Sequence, residues 1–177
     1  MKIEIFTEGS NTTADRDSAD SVRDFFMGQF QPVNHLAESL EDYGDVNIHI
    51  LSEEYGYLTG GDPVSKISRG KSCEVDSEFS ELIGHSAGAA DVIVILLTGS
   101  AFENIIASQW DKLVSKSNQD TLWFFGVSRR AMNSVDLGRL RANSSAVDVY
   151  ERVGVARIDS ESKRMLVERV NQKQNIY

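Results

Sequence analysis

A short stretch of this sequence concentrates side chains that could do chemistry. In "IHILSEEYGYLTGGDP", residues 48–63, an apolar run stops at Ser52 and is followed at once by Glu53, Glu54, Tyr55, Tyr57 and Asp62. A carboxylate beside a cleft can move a proton or steady a developing positive charge. A tyrosine ring can lie against a planar base. Glu53 is therefore the candidate catalytic residue, and Tyr55 and Asp62 are candidate ligand contacts. The competing account is a decorated turn, with Tyr55 packed on a sheet and the glutamates solvated.

Three further stretches carry polar groups suited to holding a ligand. "TEGSNTT" offers Glu8, Ser10, Asn11 and Thr12, whose backbone amides and hydroxyls are of the kind that cradle phosphate or ribose. It is neither a G-x-x-x-x-G-K-[ST] loop nor a G-x-G-x-x-G turn. "TGSAFEN" offers Thr98, Gly99 and Ser100. "GVSRRAM" places Arg129 and Arg130 in the first turn of a helix capped by Ser128. Cations there oppose the helix dipole, by about 0.3–1 kcal/mol each, and a bound anion would offset this. Pairing with Asp or Glu on an acidic surface would do so equally well.

The elements that must position these loops can be read from periodicity. Strands are expected at residues 2–6, 46–51, 91–97 and 121–127, with a weak fifth, "VGVARI", at 153–158. "DVIVILL" is apolar on both faces, which suits a central parallel strand covered on both sides. A helix is expected from a cap at Ser18, with Val22, Phe25, Phe26 and Phe30 on its apolar face, broken or restarted at Pro32 and ending near Asp42. Further helices are expected at about 77–87, after a capping box of Ser100 and Glu103, after Ser128, and at about 160–170. Residues 60–70 read as loop and residues 170–177 as a polar tail. Alternating strands and helices predict a single α/β domain over residues 1–177. It is a three-layer, Rossmann-like arrangement with a mainly parallel sheet of about five strands and helices on both faces. In such sheets ligands bind beyond the carboxyl ends of the strands, where all four polar loops emerge.

Composition narrows the function classes. The chain has 177 residues, is 41% hydrophobic, and carries 27 acidic against 18 basic residues, a formal net charge of −9. That balance excludes a general nucleic-acid coat, because phosphate binding needs clustered Lys and Arg. Arg outnumbers Lys, and the acidic, lysine-poor composition is compatible with a salt-loving source. No apolar run approaches the ~20 residues of a membrane helix, and no signal-peptide pattern opens the chain. A cytoplasmic protein with no membrane role is expected; an oligomer is compatible with the sequence. Cys73 is the only cysteine and reads as a loop residue rather than a nucleophile. With three scattered histidines no zinc pattern exists, so neither metal nor cofactor is expected. His35 and His49 read as structural, and His85 as a minor candidate. Trp110, Trp123, Phe124 and Phe125 read as core.

The segment from Phe25 to Ile106 resembles the DUF6884 and YaaA-like group of α/β proteins. The matching residues are Ile50, Leu51, Ser52, Tyr55, Gly56, Leu58, Asp62 and Pro63, set against a strand of the type "ILSAKYGLL" and its acidic or proline turn. "ADVIVILLTGSAFENII" is similar to that group's next strand and helix. The group's first loop carries a cysteine and a lysine, where this chain reads "TEGSNTT". The resemblance implies a nucleobase, nucleoside or nucleotide ligand. Three functions stay open at this point. One is an enzyme acting on such a ligand by N-glycosidic cleavage or base transfer. The second is a non-catalytic module binding a small nucleotide-like ligand or a partner protein. The third is a structural or assembly protein.

Overall fold

The computed structural model describes residues 1–68, 75–151 and 158–175. Cys73, most of the expected strand at 153–158 and the last two residues lie outside this set. Among the described residues six strands form one sheet: β1 (Lys2–Glu8), β2 (Asp45–Ser52), β3 (Gly56–Thr59), β4 (Val92–Leu96), β5 (Leu122–Val127) and β6 (Ala146–Glu151), in the order β3-β2-β1-β4-β5-β6. All pairings are parallel except β2 with β3. The five parallel strands thus have the doubly wound order 2-1-3-4-5.

Sequence periodicity explains which strands lie inside. Every residue of β4 and β5 is buried, as continuous apolar runs require when helices cover both faces. In β1 the alternation is visible: Ile3 and Ile5 enter one core, Phe6 the other. The first core is closed by α1 (Val22–Phe25), α2 (Gln31–Glu41) and α8 (Ser160–Gln174). The second is closed by α3 (Val75–Ser86), α4 (Gly99–Ile105), α5 (Trp110–Lys116), α6 (Arg129–Met132) and α7 (Leu137–Arg141). Right-handed crossovers dictate this division, because the step from β1 to β2 runs opposite to the steps from β3 to β4, β4 to β5 and β5 to β6. Each fully buried Leu, Ile or Phe stabilises the fold by ~1.5–3 kcal/mol.

Several expectations are corrected. Among the described residues the sheet has six strands, where about five were expected. The added β3 lies in a segment expected to be loop, where Tyr57 and Thr59 alternate with Leu58. β6 lies ahead of the expected fifth strand; its polar, half-exposed alternation is what an edge strand shows. The first long helix is broken into α1 and α2 with 3-10 turns at Arg16–Ser18 and Gly28–Phe30, because Phe26 is extended and Gly28 has φ of 61°. Pro32 sits in the first turn of α2, where its missing N–H costs nothing, so it restarts the helix. The cap of α4 is Thr98 rather than Ser100, and its hydroxyl accepts from the Ala101 N–H. α8 continues through Gln174, into the expected polar tail, although its last buried residue is Val170. Ser128 caps α6 as expected.

The tight turn into β3 depends on Gly56, which has φ of 76°. An L side chain pays about 1–2 kcal/mol in that region. Gly56→Ala should therefore lower the unfolding free energy by about that amount, read as a shifted urea midpoint at unchanged slope.

Candidate functional site

Because the chain leaves β1 toward one face and β4 toward the other, the segments above their carboxyl ends diverge. The gap holds a cleft of about 830 Å³. Glu8, Ser10, Asn11 and Thr12 form one side of it, with Gln29 beyond them. Glu53, Glu54 and Tyr55 form the second side, Ser100 and Asn104 the third, and Asp76 closes it from the start of α3.

Local hydrogen bonds set each wall. The Glu8 carboxylate accepts from the Thr98 backbone N–H at 2.5 Å and from the Thr98 hydroxyl at 2.9 Å. The same hydroxyl accepts from Ala101, so one threonine caps α4 and ties β1 to it. Gly9 donates to the Leu51 carbonyl at 2.8 Å, and a Cβ at Gly9 would stand 2.8 Å from the Phe26 ring. The first loop is therefore pressed onto β2 and the core. Beyond it the Ser10 hydroxyl oxygen accepts from the Thr12 N–H at 3.1 Å.

On the second wall, the Ser52 hydroxyl oxygen accepts from the Glu54 and Tyr55 N–H groups at 3.3 and 3.2 Å. This turn projects Glu53 just beyond the last residue of β2. Glu53 is exposed and makes no hydrogen bond or ion pair among the described residues. Tyr55 is half-buried, with its ring edge-on to Phe25 at 5.8 Å and to Phe26 at 6.5 Å. The packing fixes the ring, and the residue stands in the lining of the cleft.

The structure thus brings Glu8, Ser10, Asn11, Thr12, Glu53, Tyr55 and Ser100 around one cleft. The other sequence candidates stand elsewhere. Thr98 lies behind the wall as the partner of Glu8, and a Cβ at Gly99 would meet the Ser128 hydroxyl at 3.2 Å. Asp62 pairs with Lys66 at 2.7 Å, and its carbonyl accepts from the Val22 N–H at the start of α1. Arg129 pairs with Glu151 at 2.6 Å, and neither it nor Arg130 lines the cleft. Gln29, Asn104 and Asp76 were not among the sequence candidates. Asn104 had a signal, since it follows Ser100 by four residues on one helix face. Gln29 sits in a 3-10 turn and had none. Among the described residues, no group of His, Cys, Asp and Glu is placed to hold a metal ion.

Beneath the second wall lies a buried polar chain. Glu4 is 3% and His49 8% exposed, and Glu4 Oε2 is 2.5 Å from His49 Nε2. His49 Nδ1 is 2.9 Å from the Tyr57 hydroxyl, which is 3.3 Å from the Thr59 hydroxyl. Lys2 closes the other end, 3.0 Å from Glu4 Oε1. The His49 ring stacks on Phe6 at 4.6 Å, and Tyr57 meets Phe79 edge-on. Burial pushes the Tyr57 hydroxyl up, so it stays neutral. Burial would also raise the Glu4 carboxyl. Hydrogen bonds and charge from His49 and Lys2 outweigh it and hold the group below its ordinary value. His49 thereby acts structurally, joining β1, β2 and β3 on the face below the cleft.

Comparison with family models, curated proteins and solved structures gave no significant match to this chain.

His49→Ala would leave Glu4 buried beside Lys2 alone. Unfolding free energy should fall by ~3 kcal/mol, as for other broken buried pairs. The depressed Glu4 carboxyl stabilises the fold fully above its ordinary value of 4.5 and progressively less as pH falls below it. In Glu4→Gln, calorimetry at falling pH should show a flatter acid limb than in the wild type.

Proposed function

We propose that the cleft binds a nucleobase-containing small molecule and that the protein is an enzyme acting on it, by N-glycosidic cleavage or base transfer. The observation that carries this reading is the meeting of Glu53, Tyr55 and the first polar loop in one cleft at the strand-order reversal. Its volume falls in the usual range for small-molecule sites. The resemblance of residues 25–106 to the DUF6884 and YaaA-like group points to the same ligand class. Tyr55 offers a fixed ring for the base. Ser10, Asn11 and Asn104 offer donors and acceptors for the sugar.

In the hydrolytic version, the bond between the sugar anomeric carbon and the base nitrogen breaks, and its electron pair leaves with the base. Glu53 steadies the positive charge left on the sugar. It then takes a proton from the water that adds its oxygen to that carbon, while the departing nitrogen gains a proton from solvent. In the transfer version a second base replaces the water. No helix among the described residues is long and apolar enough to cross a membrane.

A binding module without turnover is the second reading. It is favoured by Glu53 making no orienting hydrogen bond among the described residues, since catalytic carboxylates are held by neighbours. The assembly reading has less support: the exposed large apolar side chains Met27, Val149 and Met165 stand on separate elements.

Mass spectrometry of material purified without added nucleotides identifies the ligand, and two variants then separate the readings. Glu53→Gln should keep fold and binding while lowering turnover ~10²–10⁴-fold, as expected for loss of a general acid or base. Tyr55→Ala should weaken binding in either case. If Glu53→Gln leaves a measured turnover unchanged, the catalytic assignment fails; if no turnover is found and only Tyr55→Ala matters, the cleft is a binding module.

A further inference from the structure

The carboxylates that line the cleft are not equivalent. Glu53, Glu54 and Asp76 are exposed, whereas Glu8 is half-buried. Strand alternation sets its direction. Even-numbered residues of β1 face the second core, as Phe6 does, so Glu8 at the end of the strand turns toward the start of α4. There its two oxygens are held separately: Oε2 accepts from the Thr98 backbone N–H at 2.5 Å and Oε1 from the Thr98 hydroxyl at 2.9 Å. Thr98 is itself fixed, because its hydroxyl oxygen accepts from the Ala101 N–H and caps α4. A reacting carboxylate has to be oriented in advance by its neighbours, and Glu8 is. Two bonds out of about four lone-pair sites orient a carboxylate and still let it react.

Register places Glu53 relative to this fixed group. Glu8 stands directly across from Leu51, and Glu53 follows Leu51 by two residues. The held carboxylate therefore lies at the floor of the cleft and the exposed one at its rim. Asn104, which offers its amide to the sugar, belongs to the helix that Thr98 caps, so the sugar falls on the Glu8 side. Two carboxylates so placed can divide the work of glycosyl transfer. The one held against the anomeric carbon bonds to it, and the more exposed one carries protons.

We propose that Glu8 is the nucleophile of the reaction, held for that role by Thr98, and that Glu53 carries the proton of its second half. This rests on the functional reading above and deepens it. In the first half, a bond forms between a Glu8 oxygen and the anomeric carbon while the carbon–nitrogen bond breaks. The electron pair of that bond leaves with the base, which gains a proton from solvent, and the sugar is held as an ester of Glu8. In the second half, water or the nitrogen of a second base bonds to the same carbon. The ester bond breaks, its electron pair returns to Glu8, and Glu53 takes the proton of the incoming group. Two displacements restore the starting configuration at the anomeric carbon, whereas one inverts it.

The test uses β-nucleosides of adenine, guanine, cytosine, uracil and thymine, with ribose and with deoxyribose, and the full chain. Proton NMR gives the configuration of the product, read from the free sugar before it mutarotates and from the methyl glycoside formed in added methanol. The wild type should retain the β configuration. Glu8→Gln should keep the fold by circular dichroism and keep nucleoside binding by isothermal titration, but lose turnover. Glu8→Ala leaves room for a small anion; added azide should restore turnover and give the sugar azide of inverted configuration. A side chain that only props the wall would show no such rescue. Inverted product from the wild type, undiminished turnover in Glu8→Gln, or a folded Glu8→Ala that azide fails to restore overturns the assignment and leaves the nucleobase-directed enzyme standing. If none of these nucleosides is cleaved or exchanged, both readings fall together.

Discussion

The hydrogen bonds between Glu8 and Thr98 join two strands whose chains are about to part. β1 and β4 lie side by side, yet the segment after β1 covers one face of the sheet and α4 covers the other. A sheet wound this way must open a gap at the point of reversal. What the gap becomes depends on what satisfies the polar groups at its floor. In this protein a glutamate does so, with two charge-assisted bonds to one threonine that also caps the following helix. The first loop, pinned by Gly9 to Leu51, and the hairpin turn, pinned by Ser52, are then arranged around an opening of settled shape.

The legible parts of this architecture were those written in hydrophobic period. "DVIVILL" suited a strand covered on both sides, and it lies between β1 and β5. β1, β2 and β5 carried similar signals. The edges were harder, because an edge strand is apolar on one side at most. β3 hid inside a polar segment whose Gly56 needs a left-handed turn, and β6 is only partly apolar. Helix boundaries misled where two capping residues competed: Ser100 with Glu103 fits a capping box, but Thr98 has the extended backbone and the earlier position.

The site was legible to the extent that it follows from topology. Loops leaving parallel strands on the same edge had to converge, and Glu53 and Tyr55 share a cleft with Ser10 and Asn11 for that reason. What periodicity could not convey was how far each loop reaches. Arg129 leaves the same edge, yet its side chain finds Glu151 at the end of β6 instead. Asp62 was placed at the binding edge by its position in a suggestive segment, but the hairpin turns back and delivers it to α1 and Lys66. Gln29 and Asp76 enter from helices whose ends depend on tertiary packing.

The chain from Lys2 through Glu4, His49 and Tyr57 to Thr59 constrains how this sequence can drift over time. Each internal member is satisfied by the next, and the rings of Phe6 and Phe79 exclude the water that could replace a lost partner. An isolated change at one position leaves a stranded charge or donor, whereas apolar residues introduced together at Glu4, His49 and Tyr57 would fill similar space without one. These positions should therefore vary as a linked set among descendants of a common ancestor, retained together or lost together, while the cleft above them diverges on its own schedule.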